Sequence, residues 1–259
     1  MNFFQKTGRT SLDLIQKLGV RLIFLFQVVG WALRPPFKAR EIIKQTHFIG
    51  VKSLFVILLT SVFTGMVLGM QGYYTLVQYG AEGKLGSAVA LTIIRELGPV
   101  LAALMVTGRA GSAIAAEIGI MRISEQLDAL DTMALSPLKY VVMPKVMAAI
   151  IAIPLLTAIF DVVGILGGYM VGVHMLGVSA GSFLSGMELS VQWNDVYSGI
   201  IKSICFAVLM AWICCFEGFY VERYSGHGAE GVSQATTHAV VLSSVNILVW
   251  DYVITSFMI

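Results

Sequence analysis

Arg95 and Glu96 stand side by side in the otherwise apolar stretch from Leu85 to Val106, where ionised groups are costly unless they pair or border a cavity. A pair of this kind suits a polar-headed guest. Neighbouring helix positions point about 100° apart, so the two cannot easily neutralise each other and a third charge is expected. Lys202, at similar depth in a later apolar stretch, is expected to pair with Glu96 and leave Arg95 free to face a cavity. Asp161, in the middle of another stretch, is the second candidate, with no evident cationic neighbour. Pro99 follows Gly98 just past the pair, removes a backbone hydrogen bond and predicts a kink there. The plainer alternative is that both charges merely neutralise partners on other helices.

Other chemistry is absent from the sequence. There is no Gly-x-x-x-x-Gly-Lys-[Ser/Thr] phosphate loop, no His-Glu-x-x-His zinc helix and no Gly-x-Ser-x-Gly nucleophile elbow, so a non-catalytic chain is expected. His47, His174, His227 and His238 are scattered and read as structural. Cys205, Cys214 and Cys215 share one apolar stretch without Cys-x-x-Cys spacing, which reads as buried reduced thiols rather than metal ligands.

The elements that position these groups must lie in a membrane, because the chain is 57% hydrophobic and 12% charged with a mean hydropathy of +0.83. Five stretches are long and apolar enough to cross ~30 Å of hydrocarbon: about 48–80, 85–108, 142–173, 197–220 and 235–258. Residues 1–47 precede them. There the run Leu22–Leu33 is too short to span and is followed by Arg34-Pro35-Pro36-Phe37. With Lys6, Arg9, Lys17 and Arg21 before it and Lys38, Arg40 and Lys44 after it, this segment reads as an amphipathic helix in the cytoplasmic interface. Nine Lys and Arg fall in residues 1–52 and four in 109–145, so the N-terminus is expected in the cytoplasm and the C-terminus outside. The fold class is therefore an all-α integral membrane protein forming one domain over 1–259.

Smaller signals refine this picture. Glycines recur at four-residue spacing in Gly65/Gly69 and Gly164/Gly168/Gly172, which predicts closely approaching helices. Tyr73 and Tyr74 read as interfacial anchors, whereas Tyr79 stands next to the reversal into the Arg95 helix and could face a ligand. Between the second and third spans, Ile120, Ile123, Leu127, Leu130 and Met133 recur at spacings of three and four while Glu125, Asp128 and Asp131 share another face. This predicts one amphipathic cytoplasmic helix over about 117–136. It is either a surface helix resting on its own bundle or a coupling element that docks into a groove on a motor protein.

Several blocks together resemble the MlaE/YrbE family of permeases: Gly65-Met-Val-Leu-Gly-Met-Gln-Gly-Tyr73, Arg95-Glu-Leu-Gly-Pro-Val100, Gly108-Arg-Ala-Gly-Ser-Ala113, Ala116-Glu-Ile-Gly119, Glu125-Gln-Leu127 and Pro137-Leu138. The likeness runs from about residue 10 to the end. It implies the permease subunit of an ATP-driven phospholipid transporter of the bacterial inner membrane, one that maintains outer-membrane lipid asymmetry in Gram-negative cells. It further implies a second copy of the chain, a cytoplasmic ATPase dimer that carries the ATP and Mg, a STAS-domain accessory protein and a periplasmic MCE-domain hexamer, with no nucleic acid. By the same resemblance Leu68, Leu76, Tyr79 and Arg95 would line the lipid cavity, and the 117–136 insert, with Glu117, Arg122, Glu125, Asp128 and Asp131, would couple to the ATPase.

Two rival readings come from other classes. A passive channel or carrier would explain the Arg95-Glu96 pair but not the amphipathic insert. A structural anchor for periplasmic lipid-binding subunits would explain the glycine spacing but not the charges at depth.

Overall fold

The computed structural model describes residues 3–32, 38–226 and 228–258, with side chains from residue 16 onward except that of Ala32. Leu33, Arg34, Pro35, Pro36, Phe37 and His227 lie outside the described residues, as do the side chains of Lys6 and Arg9. Among the described residues every regular element is helical: α1 (Phe3–Ala32), α2 (Ala39–Gly50), α3 (Leu54–Val77), α4 (Leu85–Thr92), α5 (Gly98–Val106), α6 (Ser112–Ile123), α7 (Gln126–Thr132), α8 (Met143–Tyr169), α9 (Ala180–Ser190), α10 (Trp193–Phe219), α11 (Val221–Tyr224) and α12 (Gly228–Met258). Short 3₁₀ and π turns join some of these into five continuous helical stretches long and apolar enough to cross a membrane: Ala39–Val77, Glu82–Ile123, Leu138–Met175, Trp193–Phe219 and Gly228–Met258. The chain is a multi-pass membrane protein.

The structure departs from the expected boundaries in two places. Residues 1–47 do not form one helix: α1 ends at Ala32, and α2 starts at Ala39 and runs through a 3₁₀ turn, Val51–Ser53, into α3. Lys38, at φ −88° and ψ 71°, stands outside helical geometry just before α2. The insert 117–136 is likewise two helices. α6 prolongs the second stretch to Ile123, the chain turns at Ser124–Glu125 with Glu125 at φ 58°, and α7 follows. A left-handed residue cannot continue a right-handed helix. The turn swings Leu127 to full burial, while Ile120 and Met133 stay 57% and 67% exposed, so the expected apolar ridge is split.

Packing follows the small residues. α3 buries Ile57, Ser61, Gly65 and Gly69, a stripe with a four-residue period, and turns Phe55, Leu59, Phe63 and Val67 outward. The buried stripe lies against α8: a Cβ at Gly65 would collide with the Gly164 carbonyl, and one at Gly69 would sit 2.9 Å from the Gly168 carbonyl oxygen. The glycines therefore pair with each other within the chain. Two apolar helices in lipid gain little by hiding from water, so close backbone contact is what holds them together.

α10 is the most enclosed of the five stretches and presents Phe206, Met210, Cys214 and Phe216 to the core. α1 clamps its far end. Phe24, 1% exposed, meets Phe216, Phe219 and Tyr220 at ring-centroid distances of 5.6, 5.7 and 6.0 Å. Trp212 Nε1 donates to the Arg21 carbonyl at 3.0 Å, and Arg21 pairs with buried Glu217 at 2.5 Å. The opposite face of α1 leaves Leu18, Leu22 and Phe26 exposed.

Candidate lipid site and its charge network

The second stretch is interrupted by a π-helical turn, Ile93–Leu97, that carries both Arg95 and Glu96. Such turns alter the backbone register and often mark functional positions. Pro99 has no N–H to give the carbonyl four residues back, which is that of Arg95. Lys202 supplies the missing donor: its Nζ lies 3.0 Å from the Arg95 carbonyl oxygen, 2.6 Å from Glu96 Oε2 and 2.7 Å from Thr255 Oγ1. Asp251 Oδ1 approaches the same ammonium at 3.3 Å. With a side chain 1% exposed, Lys202 is held in a fully ligated pocket built from three stretches. The expected Glu96–Lys202 contact is present.

Arg95 is not free, contrary to expectation. Its Nε and Nη2 donate to Asp195 Oδ1 at 2.7 and 2.6 Å. Asp195 sits in the first turn of α10, where its other oxygen accepts the Gln192 backbone N–H at 2.8 Å in a reciprocal cap, so one buried carboxylate both starts the helix and anchors the arginine. Asp195, Asp251 and Thr255 were missed by sequence reasoning. A signal was available for two of them: Asp195 lies seven residues before Lys202, two turns along one helix face, and Thr255 lies one turn after Asp251.

The network holds two cations and three carboxylates and is open on one side. Arg95 and Glu96 side chains are 52% and 39% exposed, and they line a cavity of about 480 Å³ with Asp195, Tyr197, Lys202 and Met258. Leu68 and Leu76 line a separate groove of about 310 Å³ between α3 and α4, with Gly72, Thr75, Val89 and Thr92. Thr92 precedes Arg95 by three residues, so one helical turn divides the apolar groove from the charged cavity. Tyr79 lines neither and is 79% exposed beyond the end of α3. Asp161 belongs to neither as well: it takes part in no ion pair among the described residues, and its Oδ1 is buried without a hydrogen-bond partner.

The candidate coupling residues fall into two groups. Glu117 is tied to its own bundle by Lys145, which is 2% exposed, at 2.6 Å, with Gln45 of α2 at 3.5 Å from the same ammonium. Arg122 pairs with Asp128 at 2.7 Å and Glu222 at 3.5 Å, joining α6, α7 and α11. Glu125, Asp128 and Asp131 are exposed. Beside them Arg122, Phe219, Tyr220, Glu222 and Arg223 line a cavity of about 230 Å³. Burial, and then the neighbouring Tyr224, push the Tyr220 phenol up, against the opposing pull of Arg223 and Arg122.

The comparisons with known proteins agree with this architecture. Residues 42–257 match the family model described as Permease MlaE. The chain is 44% identical over 262 residues to the "Intermembrane phospholipid transport system permease protein MlaE" of Haemophilus influenzae, covering 100% of this chain and 98% of that protein. A "Probable ABC transporter permease protein" of Rickettsia bellii is 44% identical over 255 residues, covering 98% and 97%. "Protein TRIGALACTOSYLDIACYLGLYCEROL 1, chloroplastic" of Arabidopsis thaliana is 36% identical over 231 residues, covering 89% of this chain and 65% of its own. A family match over residues 42–257, together with 44% identity across the whole of this chain, has one reading: the chain belongs to the MlaE permease family.

Proposed function

We propose that this chain is the membrane subunit of an ATP-driven transporter that moves phospholipid between the inner membrane and periplasmic carriers, and so maintains outer-membrane lipid asymmetry. The observation that carries the reading is the half-exposed Arg95–Glu96 face at the cavity, one turn from the apolar groove of Leu68 and Leu76. A phospholipid has this two-part chemistry. Its phosphate suits the Arg95 guanidinium, which forms charge-assisted bonds, and its acyl chains suit the groove. Asp195 then orients Arg95 rather than satisfying it completely, since half of the side chain stays open to the cavity.

In this reading α1 lies along the cytoplasmic interface with Leu18, Leu22 and Phe26 in the lipid, and the C-terminus is periplasmic. A second copy of the chain completes the lipid cavity. The cytoplasmic ATPase dimer, which binds ATP and Mg, docks on α7 and its exposed acidic residues, with Arg122 holding that helix to α6 and α11. A STAS-domain protein and a periplasmic MCE-domain hexamer complete the assembly. The test is lipid content. Phospholipid that co-purifies with the wild-type chain from membranes, measured by mass spectrometry, is expected to fall severalfold in Arg95→Ala, and the same amount in both proteins would remove Arg95 from lipid binding.

A further inference from the structure

Asp161 lies in the middle of α8, and the charge network does not use it. A Cβ placed on Gly98 would collide with Asp161 Oδ1 and would lie 2.9 Å from the Ile93 carbonyl oxygen, so both oxygens border the notch left by the absent side chain. Ile93 O already accepts the Gly98 N–H across the π turn and retains a second lone pair. Asp161 Oδ1 is buried without a partner. An ionised carboxylate could only set two acceptors against each other in this notch, whereas a carboxylic acid has a donor to offer.

Among the described residues no cation is at hand to favour the ionised form. On the second stretch, Arg95 is held by Asp195, and Glu96 by Lys202. α3 carries no acidic or basic residue from Leu54 to Val77, and α4 carries none from Leu85 to Thr92. On α10, Asp195, Lys202 and Glu217 are all engaged, the last with Arg21 of α1, while Lys17 of α1 lies over the Tyr224 ring. Arg40, Glu41, Lys44 and His47 of α2 lie by the Lys145 end of α8, whose Lys145 precedes Asp161 by sixteen residues, ~24 Å along the helix. His174, thirteen residues after Asp161, packs against Tyr169.

We infer that Asp161 is a proton-carrying carboxyl site inside the membrane, its O–H directed at the Ile93 carbonyl across the Gly98 notch, and that it is a modification site for apolar carbodiimides. The chemistry balances without a further reactant. The carboxyl proton passes to one carbodiimide nitrogen and the carboxyl oxygen adds to the central carbon, giving an O-acylisourea. The acyl group then migrates to nitrogen and leaves a stable N-acylurea. Loss of the proton would set a bare charge against the π turn that carries Arg95 and Glu96, so the fold is held while the proton is present and weakened as pH rises.

The experiment treats the full chain in membranes with dicyclohexylcarbodiimide and maps the adduct by peptide mass spectrometry across a pH series. An adduct on Asp161 is expected, with a yield falling about tenfold per pH unit once the carboxyl ionises, as a one-proton equilibrium requires. Asp161→Asn is expected to lose the adduct and also the alkaline drop in Tm expected of the wild type. No adduct at Asp161 in the folded protein, a pH-independent yield, or the same alkaline drop in both proteins would overturn the inference. The labelling uses the wild-type chain, so it decides the matter even where the Asn variant fails to fold.

Discussion

Lys202 is the residue on which the charged site depends. It is a single buried ammonium shared by Glu96, Asp251, Thr255 and the Arg95 carbonyl that Pro99 leaves without a donor. Removing one partner of a buried ion pair costs about 3–5 kcal/mol, because the remaining charges stay behind unpaired. Glu96 is partly open to the cavity, which lowers the figure toward the bottom of that range. Lys202→Met is therefore expected to lower the unfolding free energy by about 3 kcal/mol, read as a drop in Tm of the purified protein, whereas Lys202→Arg retains a cation and should lose less. An unchanged Tm in Lys202→Met would mean that the network contributes nothing to the fold. Of this network, the sequence alone disclosed Arg95, Glu96 and Lys202, because a charge in an apolar run is conspicuous. Asp195 and Asp251 stand close to the ends of their stretches, where carboxylates are common, and only the seven-residue spacing of Asp195 from Lys202 hinted at a shared face.

At the level of elements, the contact between α3 and α8 is the clearest case of structure written in spacing. Gly65 and Gly69 meet Gly164 and Gly168 because only hydrogen fits between those backbones. Gly65→Val would force its side chain against the Gly164 carbonyl, which is backbone and cannot yield. The expected result is separation of the two helices, a Tm lowered by several degrees and loss of the monodisperse peak on size-exclusion chromatography. Gly30→Val, at a position whose Cβ meets nothing within 4 Å, is the matched control. The 117–136 insert was less legible. Its apolar period of three and four was real, yet Glu125 turns left-handed and divides the expected helix, so that Leu127 enters the core and Met133 does not. Periodicity reports which residues would share a face if the helix continued; it holds no information on whether the helix stops.

For the whole molecule, the distribution of Lys and Arg sets the expected orientation, with the N-terminus in the cytoplasm. Glu82→Cys and Ser185→Cys, in a chain with Cys205 replaced by Ser, are expected to react with a membrane-impermeant maleimide in intact spheroplasts. Asp131→Cys is expected to react only after permeabilisation. The reverse pattern would invert the molecule and place α7 on the wrong side for a cytoplasmic ATPase.

The class of the protein followed from composition alone, since a chain this apolar must lie in lipid and lipid admits helices whose backbones are satisfied within themselves. The number of spanning stretches and the presence of a charged intramembrane pair followed from the order of residues. Matching depth along the spans was enough to pair Glu96 with Lys202, but the Arg95–Asp195 pair was decided only in three dimensions, because it joins positions a hundred residues apart, a distance over which no periodic pattern runs. The same holds for the separation of the Leu68–Leu76 groove from the Arg95 cavity and for the notch at Gly98 that receives Asp161. Each depends on how two helices are rotated against each other, and that rotation is set by packing along their whole length.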